Sequence, residues 1–248
     1  MNYKVRIVLS SVLILGCSIL ISLSYILRDT YGISTLKNPF EYVFAKTNDT
    51  RYGYISGDYN NEFNKGSYVT RAEIASMIFK IENLEYGYDY VYSDTEDNVY
   101  VGIISSVIKR GYMSANNDEF FPDNYLTRSQ FAKIINSIID RNKSVSMKKI
   151  RTYENSYRDI ENDDNKIDII KLYEYGIIDD NAKEKFRPYD FVAKEEAIVM
   201  LNKIYGYYEG DLLKMIDLYN QNPYKDINEN YWAYEDIVRA TIGLEEIK

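Results

Sequence analysis

Three basic side chains recur in matched settings along this chain. Arg71 stands in Val69-Thr70-Arg71-Ala72-Glu73, Arg128 in Leu126-Thr127-Arg128-Ser129-Gln130, and Lys194 in Val192-Ala193-Lys194-Glu195-Glu196. Such cations can form charge-assisted hydrogen bonds to an acidic group. Each opens an apolar stripe at helical spacing: Ile74, Met77, Ile78, Ile81; then Phe131, Ile134, Ile135, Ile138; then Ala197, Met200, Leu201, Ile204. Those positions fall at i, i+3, i+4 and i+7, one face of an amphipathic helix. A cation in the first turn opposes the helix dipole, so Arg71 and Arg128 are poor choices for helix stability alone. A binding role is one reading; a salt bridge to a neighbouring unit is the other.

Acidic residues recur in step with them. Asp94, Asp159 and Asp226 each lie 17 residues before a glycine (Gly111, Gly176, Gly243), in the phrases Tyr92-Ser93-Asp94, Tyr157-Arg158-Asp159 and Tyr224-Lys225-Asp226. An aromatic–proline knuckle follows the first two glycines, Phe121-Pro122 and Phe186-Arg187-Pro188, with Arg128 or Lys194 six residues beyond the proline. One unit therefore reads Asp, helix, Gly, knuckle, basic residue, second helix, and a repeat of this kind decides the whole fold. The aspartates read as helix caps or as ligands. Alternating acids such as Asp94-x-Glu96-x-Asn98 hint at calcium, but no Gly follows at the sixth position and no Glu at the twelfth, so the EF-hand pattern fails. No metal or other cofactor is expected.

Composition removes several function classes. The formal net charge of −8 argues against a nucleic-acid partner. Histidine is absent, which excludes Ser-His-Asp and Cys-His catalysis and histidine zinc sites. The 38 acidic residues ensure that some carboxylate pair would suit a glycosidase, so their number supports that enzyme class very little. The 27 tyrosines read either as codon bias or as a surface of rings that stack on sugars or sit at an interface.

The elements that must position these groups begin with a membrane-type segment. Residues 7–27 are uncharged and mostly apolar, roughly 31 Å as a helix, and Lys4 and Arg6 precede them. Residues 1–29 are read as a retained signal anchor with the N-terminus in the cytoplasm and residues 30–248 outside. A lipoprotein signal at Leu13-Ile14-Leu15-Gly16-Cys17 and ordinary cleavage are the alternatives. Cys17 is the sole cysteine, so no disulfide can staple the exported part. Residues 30–50 form a juxtamembrane linker or degenerate half-repeat; some 15 flexible residues would reach only roughly 20 Å. Repeat 1 spans 51–83, with a helix over 71–83, repeat 2 spans 92–140 and repeat 3 spans 157–205. The first helix of repeat 2 carries Tyr100, Ile103, Ile104 and Val107; that of repeat 3 carries Ile169, Ile170, Leu172 and Tyr173. A further helix is expected at 211–219. Residues 224–248 form a front half without a back half. The fold class is mainly α. Thr70 with Glu73 and Thr127 with Gln130 form capping boxes, whereas Ala193 replaces the cap beside Glu196.

These phrases resemble the S-layer homology module of bacterial surface proteins. Val69–Glu73 resembles its Ile-Thr-Arg-Ala-Glu phrase, Phe186-Arg187-Pro188 its knuckle, and Tyr224-Lys225-Asp226-Ile227 with Trp232-Ala233 its opening phrase. The resemblance covers most of residues 51–248. It implies about three modules behind the anchor, arranged as a pseudo-threefold spindle. It also implies grooves between modules that bind a secondary cell-wall polymer, often one carrying a pyruvylated sugar. Arg71, Arg128 and Lys194 are then the principal contacts, with Asp94, Asp159, Asp226, Tyr100 and Trp232 in a second rank. Asn165 stands at the ring position of the third unit. An Arg fork holds a carboxylate by two bonds where Lys offers a point charge, so the Lys194 groove is expected to be weakest. Trp232 reads either as core or as a sugar platform. The helix over 231–243 is expected beside the Arg71 helix, closing the ring.

The leading expectation is a non-enzymatic envelope protein whose partners are the membrane and a cell-wall glycopolymer or peptidoglycan-linked polysaccharide. The alternatives are a protein–protein scaffold that keeps the fold but has lost polymer binding, and a carboxylate-pair glycosidase.

Overall fold

The apolar stripes form helices. Among the described residues these are α1 (Arg71–Ile81), α2 (Val101–Lys109), α3 (Arg128–Arg141), α4 (Lys166–Glu174), α5 (Lys194–Tyr205) and α6 (Tyr234–Ile242). A 3-10 turn covers Arg158–Ile160, and β1 (Arg51–Tyr52) pairs antiparallel with β2 (Gly243–Leu244). The computed structural model describes residues 51–142, 145, 147–154, 157–178, 185–207 and 223–244, all within the unit 50–248. The apolar segment 7–27, Cys17, residues 30–50 and the helix expected at 211–219 lie outside these residues. No helix among the described residues is long and apolar enough to cross a membrane.

Each second helix of a unit packs on the first helix of the following unit: α1 on α2, α3 on α4, α5 on α6. The stripes account for this. Ile74 and Ile78 of α1, Ile135 and Ile138 of α3, Leu201 of α5 and Ile237 of α6 are wholly buried in one shared core. The last helix therefore docks on α5, not beside α1 as the half-unit pattern suggested. Its flanks make the link to the first unit. Arg51 lies opposite Leu244 in the β1–β2 pair, and the amide of Tyr54 donates to the carbonyl of Ala240 at 2.7 Å. Gly53 permits this approach, because a Cβ there would lie 1.7 Å from the carbonyl oxygen of Thr241.

Before α1, α3 and α5 the chain is extended for a few residues, and these three phrases bond to one another in a cycle. The amide of Leu126 donates to Val69 (3.2 Å), that of Val192 to Leu126 (3.0 Å), and that of Val69 to Val192 (3.3 Å). The three apolar side chains are wholly buried. One residue earlier, Tyr68, Tyr125 and Phe191 point outward, half-exposed, with ring centroids 5.5–5.8 Å apart. At the other ends of these helices a polar cluster takes over: Asn142, the C-cap of α3, and Tyr205 of α5 both donate to the carboxylate of Glu82, the C-cap of α1. Burial, reinforced by Glu82, raises the pKa of the Tyr205 phenol, and the same causes push Tyr112 up to about 12.

The caps differ among the units. The Thr70 hydroxyl accepts from the Glu73 amide while the Glu73 carboxylate accepts from the Thr70 amide, and Thr127 with Gln130 does the same. At α5 only the return half exists, from the Ala193 amide to Glu196 at 3.1 Å. Ala193 has the extended backbone of a cap residue, φ −72° and ψ 150°. Ala193→Thr should therefore stabilise the fold by about 1 kcal/mol, read as a rise of about 2–4 °C in thermal midpoint; Thr70→Ala should lower it by a similar amount.

Candidate functional site

Two residues past each ring phrase stands a basic side chain, and its backbone is pinned to the next knuckle. The amides of Arg71, Arg128 and Lys194 donate to the carbonyls of Asn124, Asp190 and Ser67 at 2.9, 2.9 and 2.8 Å. The side chains follow the same rule. Arg71 Nε donates to the carbonyl of Phe120 at 2.7 Å, Arg128 Nε to that of Phe186 at 2.8 Å, and Lys194 Nζ to that of Phe63 at 3.1 Å. Each cation also lies over the ring of that same phenylalanine, 4.5, 4.9 and 4.7 Å from its centroid. Such a contact contributes about 0.5–2 kcal/mol, more as it is desolvated. The cations thus bridge successive units, Arg71 to the second knuckle, Arg128 to the third and Lys194 to the first.

The knuckles are shaped for this by a left-handed residue at one equivalent position, Asn64 (φ 62°), Phe121 (φ 58°) and Arg187 (φ 60°). They are held by the aspartates. Asp94 accepts from the amides of Phe120 (2.9 Å) and Phe121 (2.5 Å), Asp159 from Phe186 (2.8 Å) and Arg187 (2.7 Å), and Asp226 from Phe63 (2.7 Å) and Lys65 (3.1 Å). These carboxylates face the knuckle amides, not the helices that follow them. Asp226 does this across 163 residues and so joins the last half-unit to the first knuckle.

The surroundings of the three cations differ. Arg71 also donates to the carbonyl of Ser114 at 2.7 Å, and among the described residues it makes no ion pair within 4.0 Å. Burial lowers its pKa, opposed by the charge of Asp94. Arg128, 9% exposed, pairs with Glu196 at 2.7 Å. A cleft of about 170 Å³ opens beside it, lined by Arg128, Tyr157, Phe186, Glu196, Lys203 and Trp232 among others. Lys194 has its pKa lowered by burial, while Glu73, Asp226, Glu195 and Asp58 oppose that shift.

The remaining expected residues fall as follows. Trp232 is 62% exposed, so the core reading is corrected; Ala233 and Tyr234 take the buried places at the start of α6. Tyr100 stands at the N-cap of α2, half-buried against the core. Asn165, at the same place before α4, donates to Ser129 Oγ at 2.9 Å. Sequence reasoning did not assign a role to the knuckle phenylalanines beneath the cations, or to Lys203, Glu195 and Tyr231. Phe63, Phe120 and Phe186 hold one fixed place in the repeat, whereas Glu195 departs from Ala72 and Ser129 at its matched positions. Among the described residues no group of three His, Cys, Asp or Glu side chains could hold a metal ion.

Burial raises the Asp226 carboxyl, but the amides of Phe63 and Lys65 outweigh it and leave the pKa below the ordinary 3.8. A depressed carboxylate contributes its stability above the unfolded pKa and loses it as pH falls through the folded one. Asp226→Asn should thus cost about 1.5–3 kcal/mol near neutral pH, where a charged acceptor is lost. The gap from wild type should persist down to the ordinary carboxylate pKa of 3.8 and narrow only as the pH falls below it, as urea midpoints near neutral pH and below pH 3.8 would show.

Residues 156–198 match the S-layer homology domain. That span holds Asp159, Phe186 and Lys194, and with Tyr157 and Glu196 it supplies part of the cleft beside Arg128. The chain is 26% identical over 200 residues to Cell surface glycoprotein 1 of Acetivibrio thermocellus, an alignment covering 77% of this chain and 8% of that protein. It is 25% identical over 199 residues to the Cellulosome-anchoring protein of the same organism, covering 77% of this chain and 41% of that protein. The chain spans less than half the length of either relative. Residues 156–198 are therefore similar to the S-layer homology domain, and the likeness to two proteins that carry surface and anchoring names runs through most of the chain.

Proposed function

We propose that this is a non-catalytic cell-envelope protein whose inter-unit grooves bind an acidic secondary cell-wall polymer. The observation that carries the reading is the cleft beside Arg128. There a buried guanidinium lies over the Phe186 ring while the exposed indole of Trp232 forms part of the wall. A cation beside an aromatic face suits an anionic sugar, because the charge meets the acid and the ring meets the apolar face of the pyranose. The match at 156–198 and the surface and anchoring names of the relatives support a place in the envelope. In this reading three modules stand round a pseudo-threefold axis, with the backbone ring at Val69, Leu126 and Val192 on that axis. Residues 7–27 hold the chain in the cytoplasmic membrane, with the grooves outside.

The grooves are not equivalent in this reading. Arg71 has only backbone carbonyls and a ring as partners among the described residues, so its charge is the most available to a ligand. Arg128 shares its charge with Glu196. Lys194, which offers a point charge among several carboxylates, is the weakest.

A protein–protein scaffold is the second reading, favoured by the same Arg128–Glu196 pair, which shows that a basic position can be satisfied within the fold. Sedimentation with isolated cell wall separates the two. The Arg71→Ala, Arg128→Ala double variant should bind at least about tenfold more weakly, equivalent to ~1.4 kcal/mol, with folding checked by circular dichroism. Unchanged sedimentation would reject the site assignment and favour the scaffold.

A further inference from the structure

The residues that follow the three basic positions are Ala72, Ser129 and Glu195, all buried at the start of their helices. Ala72 has no polar atom in its side chain. Ser129 Oγ donates to Asp163 at 2.6 Å and accepts from Asn165 at 2.9 Å. Glu195 places a full carboxylate there, 4% exposed. Its two oxygens accept from the Gly66 amide at 3.1 and 3.3 Å, and Oε1 also accepts from the Tyr231 hydroxyl at 2.6 Å. Burial and then the bond to Glu195 push the Tyr231 phenol up to about 12, so it stays a donor at physiological pH.

These donors belong to the groove of Lys194. Gly66 lies in the segment that Lys194 reaches through the carbonyls of Phe63 and Ser67. A backbone amide and a phenol meet on one carboxylate whose charge also acts on the Lys194 ammonium, and here that anion is part of the chain. Lys65 lies 6.0 Å from the centroid of the Tyr231 ring, while Glu73, Asp226, Glu195 and Asp58 all act on the Lys194 ammonium.

We propose that Glu195 is a resident carboxylate that fills the anion position of the Lys194 groove, so that this groove excludes acidic saccharides and the chain offers two sites for them, not three. The saccharide half rests on the polymer-binding reading; the filled anion position does not.

Two measurements on the full-length chain test the two halves. In the first, acetate at constant ionic strength is added to wild type and to Glu195→Ala, with chloride as control. Acetate should enter the vacated position and raise the thermal midpoint of the variant by about 3–5 °C while leaving wild type unmoved. Equal shifts in both proteins would overturn the filled position. Should Glu195→Ala not fold, Glu195→Ser, which carries the side chain found naturally at 129, takes its place. In the second, a methyl glycoside bearing a 4,6-pyruvyl ketal is titrated calorimetrically. Two sites on wild type and a third on the variant support the proposal, and three on wild type overturn it. Binding to neither protein overturns the saccharide half and the polymer reading together, while acetate rescue would still establish the resident carboxylate.

Discussion

Three backbone hydrogen bonds joining Val69, Leu126 and Val192 in a cycle set the frame for everything else. Each extended phrase is too short to make a sheet, and a two-residue pairing alone is worth little in water. Closed on itself and buried under three apolar side chains, the cycle leaves the amide and carbonyl groups that form it paired and out of solvent. Because every phrase runs directly into a helix, fixing the phrases fixes the first turns of α1, α3 and α5. The three positions two residues later, which carry the cations, are then placed against the neighbouring knuckles with little freedom left.

The cations therefore have two tasks. Each supports a joint between units, through a carbonyl and an aromatic face, and in the proposed reading each also offers charge to a ligand. Which task prevails depends on the third residue of the next helix in the cycle. For Arg128 that residue is Glu196, a bonded carboxylate. For Lys194 it is Glu73, one of four acids acting on the ammonium. For Arg71 it is Gln130, which is spent on the Thr127 amide. Repetition supplied three similar joints, and substitution at single positions gave them different electrostatics.

What could be read in advance was local. The helices, the capping boxes and the matched places of Arg71, Arg128 and Lys194 all rest on spacings within one turn or one unit. What could not be read depends on distant partners. The aspartates read as helix caps or as ligands, yet their donors are knuckle amides that lie 26–28 residues away in two cases and 163 away in the third. Glu195 was visible as a departure from the repeat, but Gly66 and Tyr231, which explain it, lie 129 and 36 residues off. Trp232 read either as core or as a sugar platform; Ala233 and Tyr234 fill the core place, and the larger ring is left exposed.

The bond from Asp226 to the knuckle at Phe63 also bears on the order in which this chain can finish folding. A ribosome delivers the knuckle long before the acid that holds it, and the antiparallel partner of Arg51 and Tyr52 arrives later still, at 243–244. Until then the first unit has an open edge: unclamped amides near Phe63 and a strand without its mate. Closing a contact so far apart in sequence is entropically the slowest kind of step. The knuckle at Phe63 and the strand at Arg51–Tyr52 therefore gain their clamp and their partner only from residues 226 and 243–244.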